Sequence, residues 1–217
     1  RFVSARCAEV MGKNIEDLKI VTCHLGNGSS ITAVKGGKCI DTSMGLTPLD
    51  GFIMGTRCGA IDPSVVTYLQ QKEGWTPAET DTILNKKSGV FGVSGVGSDD
   101  RDVSAAEADG NERAHLARSI QKYQVRKLIG SYVAAMDGVD AIVFTGGIGE
   151  NTFDLRADVC KNLSYLGIEL DELDTDEFLE VLCKAAKALD IRGQLYDYDE
   201  DEYSFISFGY SLGSETM

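Results

Sequence analysis

The stretch LKIVTCHLGNGSSITAVKGGKCIDTS, residues 18–43, decides the fold of this chain. Two runs of mainly apolar and β-branched residues stand on either side of the turn GNG at 26–28, and a second glycine turn follows at 36–37. Tight glycine turns between such runs are typical of β-hairpins. The stretch therefore predicts two or three strands joined by tight turns.

Strand and helix signals alternate later in the chain. VDAIVFT at residues 139–145 predicts a short buried strand, and GGIGEN at 146–151 predicts a glycine-rich turn. Apolar periodicity predicts a long helix from Glu112 to Met136 and an amphipathic helix from Thr152 to Leu166, stopped by Gly167. Hairpin strands followed by alternating helices and strands predict an α/β fold.

The middle of the chain is rich in glycine and proline. Residues 43–63 have too few periodic apolar positions for a helix and predict a long functional loop. A short helix is predicted after Pro63, and Thr76 to Glu79 predict a capping box that starts another helix. The segment GVFGVSGVGSDDRD, residues 89–102, predicts turns, followed by a helix cap at Ser104.

Composition and charge exclude several classes of protein. Of the 217 residues, 43% are hydrophobic and 25% are charged, which is typical of a soluble globule and excludes disorder for most of the chain. The net charge of −13 argues against nucleic acid or an anionic membrane as partner, because both require a basic surface. No apolar run approaches the roughly 18 residues of a membrane span. We therefore expect a cytoplasmic protein that binds neither nucleic acid nor membranes.

The cysteines and histidines restrict the chemistry further. Only two histidines are present, which argues against a histidine-based zinc site and leaves oxygen ligands for any metal. No two cysteines form a CxxC pair, so we expect buried free thiols in a reducing compartment rather than three disulfides. The cysteines are Cys7, Cys23, Cys39, Cys58, Cys160 and Cys183.

Two glycine loops are candidate phosphate or nucleotide sites. In HLGNGSS, residues 24–30, the glycines remove side chains, so that backbone amides can approach an oligophosphate; the alternative is a plain hairpin turn. FTGGIGENT, residues 144–152, follows a predicted strand and precedes a predicted helix, where nucleotides bind at strand ends. It lacks the last glycine of the dinucleotide fingerprint, which argues against a dehydrogenase.

Charged residues on two other loops are further candidates. Arg57 stands among small residues, where its guanidinium could neutralise a phosphoryl group in transfer, or it could pair with Asp62 to hold the loop. The cluster SDDRD at residues 98–102 could bond a ribose or base, or could be a polar turn. His24 could be a structural histidine or a phosphate contact.

The order of these blocks is more specific than any one block. HLGNGSS, DTSMGLTPLDGFIMGTRCGAIDP, GVSG with SDDRD, and VFTGGIGENT together closely resemble the carboxyl-terminal half of the acetate kinases, in the actin, Hsp70 and sugar-kinase superfamily. The resemblance implies a ribonuclease-H-like α/β domain with a mixed sheet flanked by helices. It assigns residues 1–192 to a nucleotide-binding domain and leaves 193–217 as an atypical acidic tail.

The resemblance also implies residue roles. Acetate kinases move the γ-phosphoryl of ATP to acetate, reversibly, and Arg57 corresponds to the arginine that binds acetate or phosphoryl oxygens and stabilises the transition state. The implied phosphate loop consists of His24, Leu25, Gly26, Asn27 and Gly28. The implied adenosine pocket consists of Asp99, Asp100, Arg101, Gly147, Ile148, Gly149, Glu150 and Asn151. Mg²⁺ is the expected metal, with no protein ligand assigned.

The resemblance leaves part of the family pattern without a counterpart. The family's amino-terminal phosphate loop, catalytic aspartate and transition-state histidine are absent, so we expect the isolated chain to be inactive. The last residues, 194–217, lack the family's terminal metal-positioning motif. A propionate or butyrate kinase is one alternative. A non-catalytic nucleotide-binding or dimerisation module is another, since acetate kinases form homodimers through this half.

Overall fold

The computed structural model describes residues 1–166 and 206–208. The helices are α1 (Phe2–Val10), α2 (Pro63–Glu73), α3 (Pro77–Lys86), α4 (Gly89–Ser94), α5 (Asp100–Ala108), α6 (Glu112–Met136), α7 (Gly146–Asn151) and α8 (Phe153–Cys160), with short 3₁₀ helices at Ile15–Asp17 and Ser164–Leu166. The strands are β1 (Lys19–Leu25), β2 (Ser29–Lys35), β3 (Lys38–Thr42), β4 (Ala141–Thr145) and β5 (Ile206–Phe208). In the described residues, no helix is both long and apolar enough to cross a membrane.

The strands form one mixed sheet in the order β3-β2-β1-β4-β5. β1 and β4 are parallel, with Ile20 opposite Ala141 and His24 opposite Thr145. The β2–β3 and β4–β5 pairs are antiparallel. All five side chains of β4 are buried, as expected for a strand covered on both faces, whereas those of β3 are all exposed. This mixed sheet with its helices confirms the predicted α/β fold.

The described residues divide into two compact units. The sheet unit comprises Arg1–Leu25, Ile31–Thr42 and the described residues from Arg126 onward. The helical unit comprises Gly26–Ser30 and Ser43–Val125. The predicted boundary at residue 192 lies outside the described residues and stays a prediction, although β5 falls within the predicted tail.

Each unit has its own apolar core. In the sheet unit, Cys7 and Ala8 of α1 pack with β-strand residues that include Ile20 and Val143. The core of the helical unit consists of Ile53, Val90, Val103, Ala114 and Ala117. Most of these side chains belong to helices or strands, whereas Ile53 lies in the loop between β3 and α2.

Several predicted elements are confirmed. α6 has the predicted bounds, and no helix or strand interrupts the predicted loop between β3 and α2. The capping box of α3 is present: the Glu79 N–H donates to Thr76 Oγ1 at 3.3 Å, and the Thr76 N–H donates to Glu79 Oε2 at 2.8 Å. These elements are set by local sequence, which explains why they could be predicted.

Other predicted boundaries are wrong. Residues 89–94 and 146–151 form α4 and α7 rather than turns. α5 begins four residues before the predicted cap at Ser104, because Asp99 Oδ1 accepts the Arg101 N–H at 3.0 Å and caps the helix earlier. α8 ends at Cys160, where the Leu163 N–H donates to the Cys160 carbonyl at 2.9 Å in a tighter turn; Gly167 lies outside the described residues.

The described cysteines are free thiols, as predicted, but their burial differs. Cys7, Cys23 and Cys160 are buried, and burial raises the pKa of Cys7 to about 12. Cys39 is exposed on an edge strand, so the prediction of burial is wrong for this residue. Cys58 is half-buried, and Cys183 lies outside the described residues.

Candidate functional site

The glycine loop of the helical unit lies against the guanidinium of Arg57. A Cβ placed on Gly28 would lie 3.0 Å from Arg57 Nη1, so the absence of a side chain leaves space for the cation. Arg57 Nη1 also donates to the Pro48 carbonyl at 3.3 Å and lies 3.7 Å from Met54 Sδ. The structure therefore brings together two of the predicted site residues, Gly28 and Arg57.

The alternative role of Arg57, an ion pair with Asp62, does not occur. Asp62 Oδ1 instead accepts the Ser64 N–H at 2.8 Å and caps α2. Within residues 1–166 and 206–208, no carboxylate lies at ion-pair distance from Arg57. The positive charge beside the glycine loop is therefore not neutralised by a described side chain, and it can act on an anion.

The start of α4 holds the loop that carries this arginine. The Val90 N–H donates to the Met54 carbonyl at 2.9 Å, and the Ser88 N–H donates to the Thr56 carbonyl at 3.0 Å. Between them, Gly89 has a φ of +62°, and a Cβ there would lie 2.2 Å from the Met54 oxygen. Only glycine fits such a close approach in a left-handed conformation. Gly89 was not among the predicted site residues.

Gly55 joins the glycine loop to the segment before α5. Its N–H donates to the Asn27 carbonyl at 3.2 Å. A Cβ on Gly55 would lie 2.0 Å from Asn27 Oδ1 and 3.1 Å from the Ser98 carbonyl oxygen. Three blocks that are far apart in sequence thus meet within the helical unit. Sequence reasoning missed Gly55, although the glycines around Arg57 were a signal of close backbone packing.

The three predicted nucleoside residues at the start of α5 have different surroundings. Asp99 accepts a hydrogen bond from Arg101 Nη2 at 2.7 Å, and this bond is the main reason that the pKa of Asp99 falls to about 2. The Arg101 side chain is 89% exposed. Asp100 instead faces a buried arginine, with its Oδ1 3.7 Å from Arg118 Nε. The Arg101 side chain is therefore more accessible to a ligand than the Asp100 side chain.

In the sheet unit, His24 and Leu25 lie at the end of β1. His24 Nδ1 lies 3.1 Å from Thr145 Oγ1, on the parallel neighbour strand, so the histidine has a structural partner while its ring stays exposed. The Leu25 side chain is buried, so that a ligand could meet this residue only through its backbone. Gly146 has a φ of +80°, and a Cβ there would lie 2.7 Å from the Leu25 oxygen.

The predicted nucleoside segment Gly147–Asn151 forms most of α7. Gly147 and Asn151 are exposed, and Asn151 Nδ2 donates to the Gly147 carbonyl at 2.9 Å. Gly149 is buried, and a Cβ there would contact Leu25 Cβ at 3.6 Å. Glu150 Oε1 accepts the Gly146 N–H at 3.2 Å. The segment therefore exposes its first and last residues and packs its middle against β1.

A buried arginine that the sequence analysis missed holds the end of α7. Arg156 of α8 is 5% exposed, and its Nη1 donates to the carbonyls of Gly149, at 2.8 Å, and of Glu150. Burial lowers the pKa of Arg156 from its ordinary value. These bonds satisfy carbonyls at a helix end that have no partner within the helix. An arginine among the apolar residues of a predicted helix face was the available signal.

The described residues do not form a metal cage. Among residues 1–166 and 206–208, no three His, Cys, Asp or Glu side chains are placed to hold a metal ion together. Mg²⁺ commonly keeps several waters and binds through substrate phosphates and only one or two carboxylates. Binding of that kind does not require a cage of three side chains.

The sequence profile of the acetokinase family matches residues 1–182. This chain belongs to the acetokinase family. Acetate kinase 2 of Clostridium perfringens is 60% identical over 172 residues, which cover 79% of this chain and 43% of that protein. The acetate kinase of Methanosarcina barkeri is 58% identical over 172 residues, which cover 79% of this chain and 42% of that protein.

Solved structures of an acetate kinase and a propionate kinase share this fold over the aligned residues. The acetate kinase of Porphyromonas gingivalis aligns with a TM-score of 0.79 and 42% identity, over 96% of this chain and 49% of that one. A propionate kinase of Francisella tularensis aligns with a TM-score of 0.74 and 45% identity, over 78% of this chain and 44% of that one. The chain spans less than half the length of these relatives. These covered fractions state how much of each relative is matched but not which part of it. The assignment of the chain to the carboxyl-terminal half therefore stays a prediction.

Proposed function

We propose that this chain carries the nucleotide-binding part of an enzyme that transfers the γ-phosphoryl of ATP to acetate, giving acetyl phosphate and ADP, reversibly. The observation that carries the proposal is the Arg57 guanidinium, which lies against Gly28 of the glycine loop and has no carboxylate partner among the described residues. Membership of the acetokinase family, and relatives named acetate kinase, support it.

In the proposed reaction, an acetate oxygen bonds to the γ-phosphorus while the bond from that phosphorus to the β,γ-bridging oxygen breaks. Charge spreads over the equatorial oxygens of the phosphoryl group, so the protein has to position the reactants and neutralise this charge. Arg57 would supply the positive charge, and the N–H groups of residues 26–28 would bind the phosphates. No covalent protein nucleophile is required.

For the nucleoside, we propose contacts from each unit separately. In the helical unit, the exposed Arg101 and its partner Asp99 would bind the adenosine. In the sheet unit, the exposed residues Gly147 and Asn151 of α7 would do so, with His24 at the start of the phosphate loop. Mg²⁺ bound to the nucleotide phosphates would neutralise part of their charge.

The proposed reaction is testable in a chimera. The 172 matched residues of this chain would replace the corresponding segment of the Clostridium perfringens relative, to which they are 60% identical. We expect the chimera to form acetyl phosphate and the isolated 217-residue chain to form none, since it spans only 43% of the relative. Robust turnover by the isolated chain would contradict the proposal that it carries only the nucleotide-binding part of the enzyme.

Arg57→Ala in the chimera tests the central residue. Removing a charge that acts on the transition state should lower kcat by roughly 10²–10³-fold. Arg6→Ala is the matched control, because Arg6 lies on α1 outside the candidate site and forms an exposed ion pair with Glu9. An Arg57→Ala chimera with kcat near that of the control would overturn the proposed role of Arg57.

A propionate kinase is the second candidate, because a propionate kinase of known structure is 45% identical to this chain. Comparing the kcat/KM for acetate, propionate and butyrate between the chimera and its Clostridium perfringens parent measures the preference that this chain contributes, and we expect acetate to give the highest value.

We also propose that the chain forms a homodimer in the cytoplasm, as the acetate kinase resemblance implies. Free thiols at all described cysteines support a reducing compartment. Light scattering on the 217-residue chain tests the dimer, and a mass that stays monomeric across a range of concentrations would remove this proposal while leaving the nucleotide site intact.

A further inference from the structure

A single buried arginine contacts both ends of α5. Arg118 of α6 is 4% exposed. Its Nη1 donates to Glu107 Oε2 in the last turn of α5, and its Nε lies 3.7 Å from Asp100 Oδ1 in the first turn. Asp100 and Glu107 are seven residues apart, which is about two helical turns, so that both carboxylates lie on one face. One guanidinium thus spans most of the helix.

Further polar contacts lead from Glu107 to the protein surface. Glu107 Oε1 lies 2.7 Å from His115 Nδ1, so both oxygens of this carboxylate have partners. His115 Nε2 lies 3.5 Å from the Ser119 hydroxyl, and these residues border a cavity of about 640 Å³. The inner end of the network is buried at Arg118, whereas its outer end is open to water.

Apolar packing alone does not determine how α5 lies. Within α5, all of which the structure describes, Val103 is the one buried residue. Ala106 packs, partly buried, against the same core, so apolar contact is confined to the middle of this short helix. Arg118 restrains the two ends of the helix: its hydrogen bond to Glu107 attaches the last turn to α6, and its ion-pair contact with Asp100 lies against the first turn.

We propose that Arg118 is a positioning residue for the nucleoside contacts at the start of α5. Asp100, which Arg118 holds, lies between Asp99 and Arg101, so any shift of Asp100 displaces both neighbours. The inference rests on the proposed function, because it assumes that Asp99 and Arg101 meet the nucleoside. It also reassigns Asp100 from ligand contact to support of its neighbours.

The experiment is an NMR titration of the 217-residue chain with two probes, ADP and inorganic pyrophosphate. ADP needs both the phosphate loop and the nucleoside contacts, whereas pyrophosphate needs only the phosphate loop. We expect Arg118→Met to weaken ADP binding about tenfold and to change pyrophosphate binding less than about twofold. Arg118→Lys keeps the charge and should restore part of the ADP affinity.

The Arg101 amide signal reports the position of α5 directly. We expect its ADP-dependent shift to shrink in Arg118→Met and to recover partly in Arg118→Lys. The same spectra show whether each variant is folded. If Arg118→Met is unfolded, Glu107→Gln decides instead, because it loses one charge and keeps the size of the side chain; it should weaken ADP binding severalfold and leave pyrophosphate binding unchanged.

The outcomes separate this inference from the function on which it rests. If the wild-type chain binds neither probe at millimolar concentration, both are overturned. If Arg101→Ala weakens ADP binding but the folded Arg118 and Glu107 variants do not, only the positioning role fails. Equal weakening of ADP and pyrophosphate would show a general structural role and would also overturn it.

Discussion

Two buried arginines, one in each unit, hold the segments that we propose contact the nucleoside, and they do so by different chemistry. In the sheet unit, Arg156 donates to backbone carbonyls at the end of α7. In the helical unit, Arg118 contacts the carboxylates of Asp100 and Glu107 on α5. Carbonyls do not titrate, whereas carboxylates lose their charge in acid. The attachment of α5 should therefore depend on pH, and that of α7 should not.

The surroundings of the two segments explain this difference. α7 directly follows β4, whose register with β1 is set by backbone hydrogen bonds. Residues 43–125, all of which the structure describes, contain helices and loops but no strand. Without a sheet to order its loops, the helical unit depends on side-chain ion pairs and on glycines that permit close backbone contact.

The largest expected effect on stability compares the two arginines. Arg118→Met should lower the free energy of unfolding by about 3 kcal/mol, because two partly buried carboxylates lose their cation. Arg156→Met should lower it by about 2 kcal/mol, because the buried carbonyls lose a donor but no charge is left unpaired. Urea denaturation at neutral pH measures both, and a larger loss for Arg156→Met would contradict the comparison.

A smaller effect tests the dependence of the helical unit on glycine. Gly89→Ala should cost about 2 kcal/mol more than Gly110→Ala, because the new methyl group would meet the Met54 oxygen as well as strain the backbone. Gly110→Ala is the matched control, since Gly110 also has a positive φ, of +87°, but nothing within 4 Å of a Cβ. Equal losses of unfolding free energy in urea would show that steric contact at Gly89 is unimportant.

The smallest effect is the pH dependence that Glu107 contributes. Burial alone would raise the pKa of Glu107, but hydrogen bonds from Arg118 and His115, with the nearby charge of Lys122, hold it below its ordinary value. A carboxyl with a lowered pKa in the folded state stabilises the fold above its unfolded pKa, and this contribution is lost as the pH falls through the folded pKa. Stability should therefore fall with acidification below about pH 5.

Substitution at Glu107 isolates that contribution. Glu107→Gln should flatten the acid limb of a plot of unfolding free energy against pH, while Arg156→Met should leave its slope unchanged. Asp99, with a pKa of about 2, contributes at lower pH through its bond with Arg101 and is present in both variants. If Glu107→Gln retains the full wild-type slope, Glu107 is not the source of acid sensitivity.

Much of the fold could be predicted from the sequence because it depends on local signals. The glycine turns predicted the first hairpin, the Thr76–Glu79 capping box predicted the start of α3, and apolar periodicity predicted α6 with its observed bounds. The order of the glycine blocks also indicated the acetokinase family, to which the chain belongs. The errors at α4, α7 and α8 lie where glycine or a tertiary contact outweighs propensity.

Part of the site could also be predicted, because its residue types are unusual for their positions. The sequence indicates Gly28 as part of a phosphate loop, and Arg57 as a cation that either meets a phosphoryl group or pairs with Asp62. Their approach within the helical unit depends on Gly55 and Gly89, whose importance follows from contacts with residues distant in sequence. No local pattern contains those contacts.

The sequence by itself determined the α/β class, the long helix, the family and the identity of the charged groups. Only the tertiary structure decided which partner each charged group has: the Arg57 guanidinium lies against Gly28 and does not pair with Asp62, and Asp100 faces Arg118 rather than solvent. The physical reason is range. Turns and caps form between residues a few positions apart, whereas a buried charge takes whichever partner the packing of separate helices places beside it.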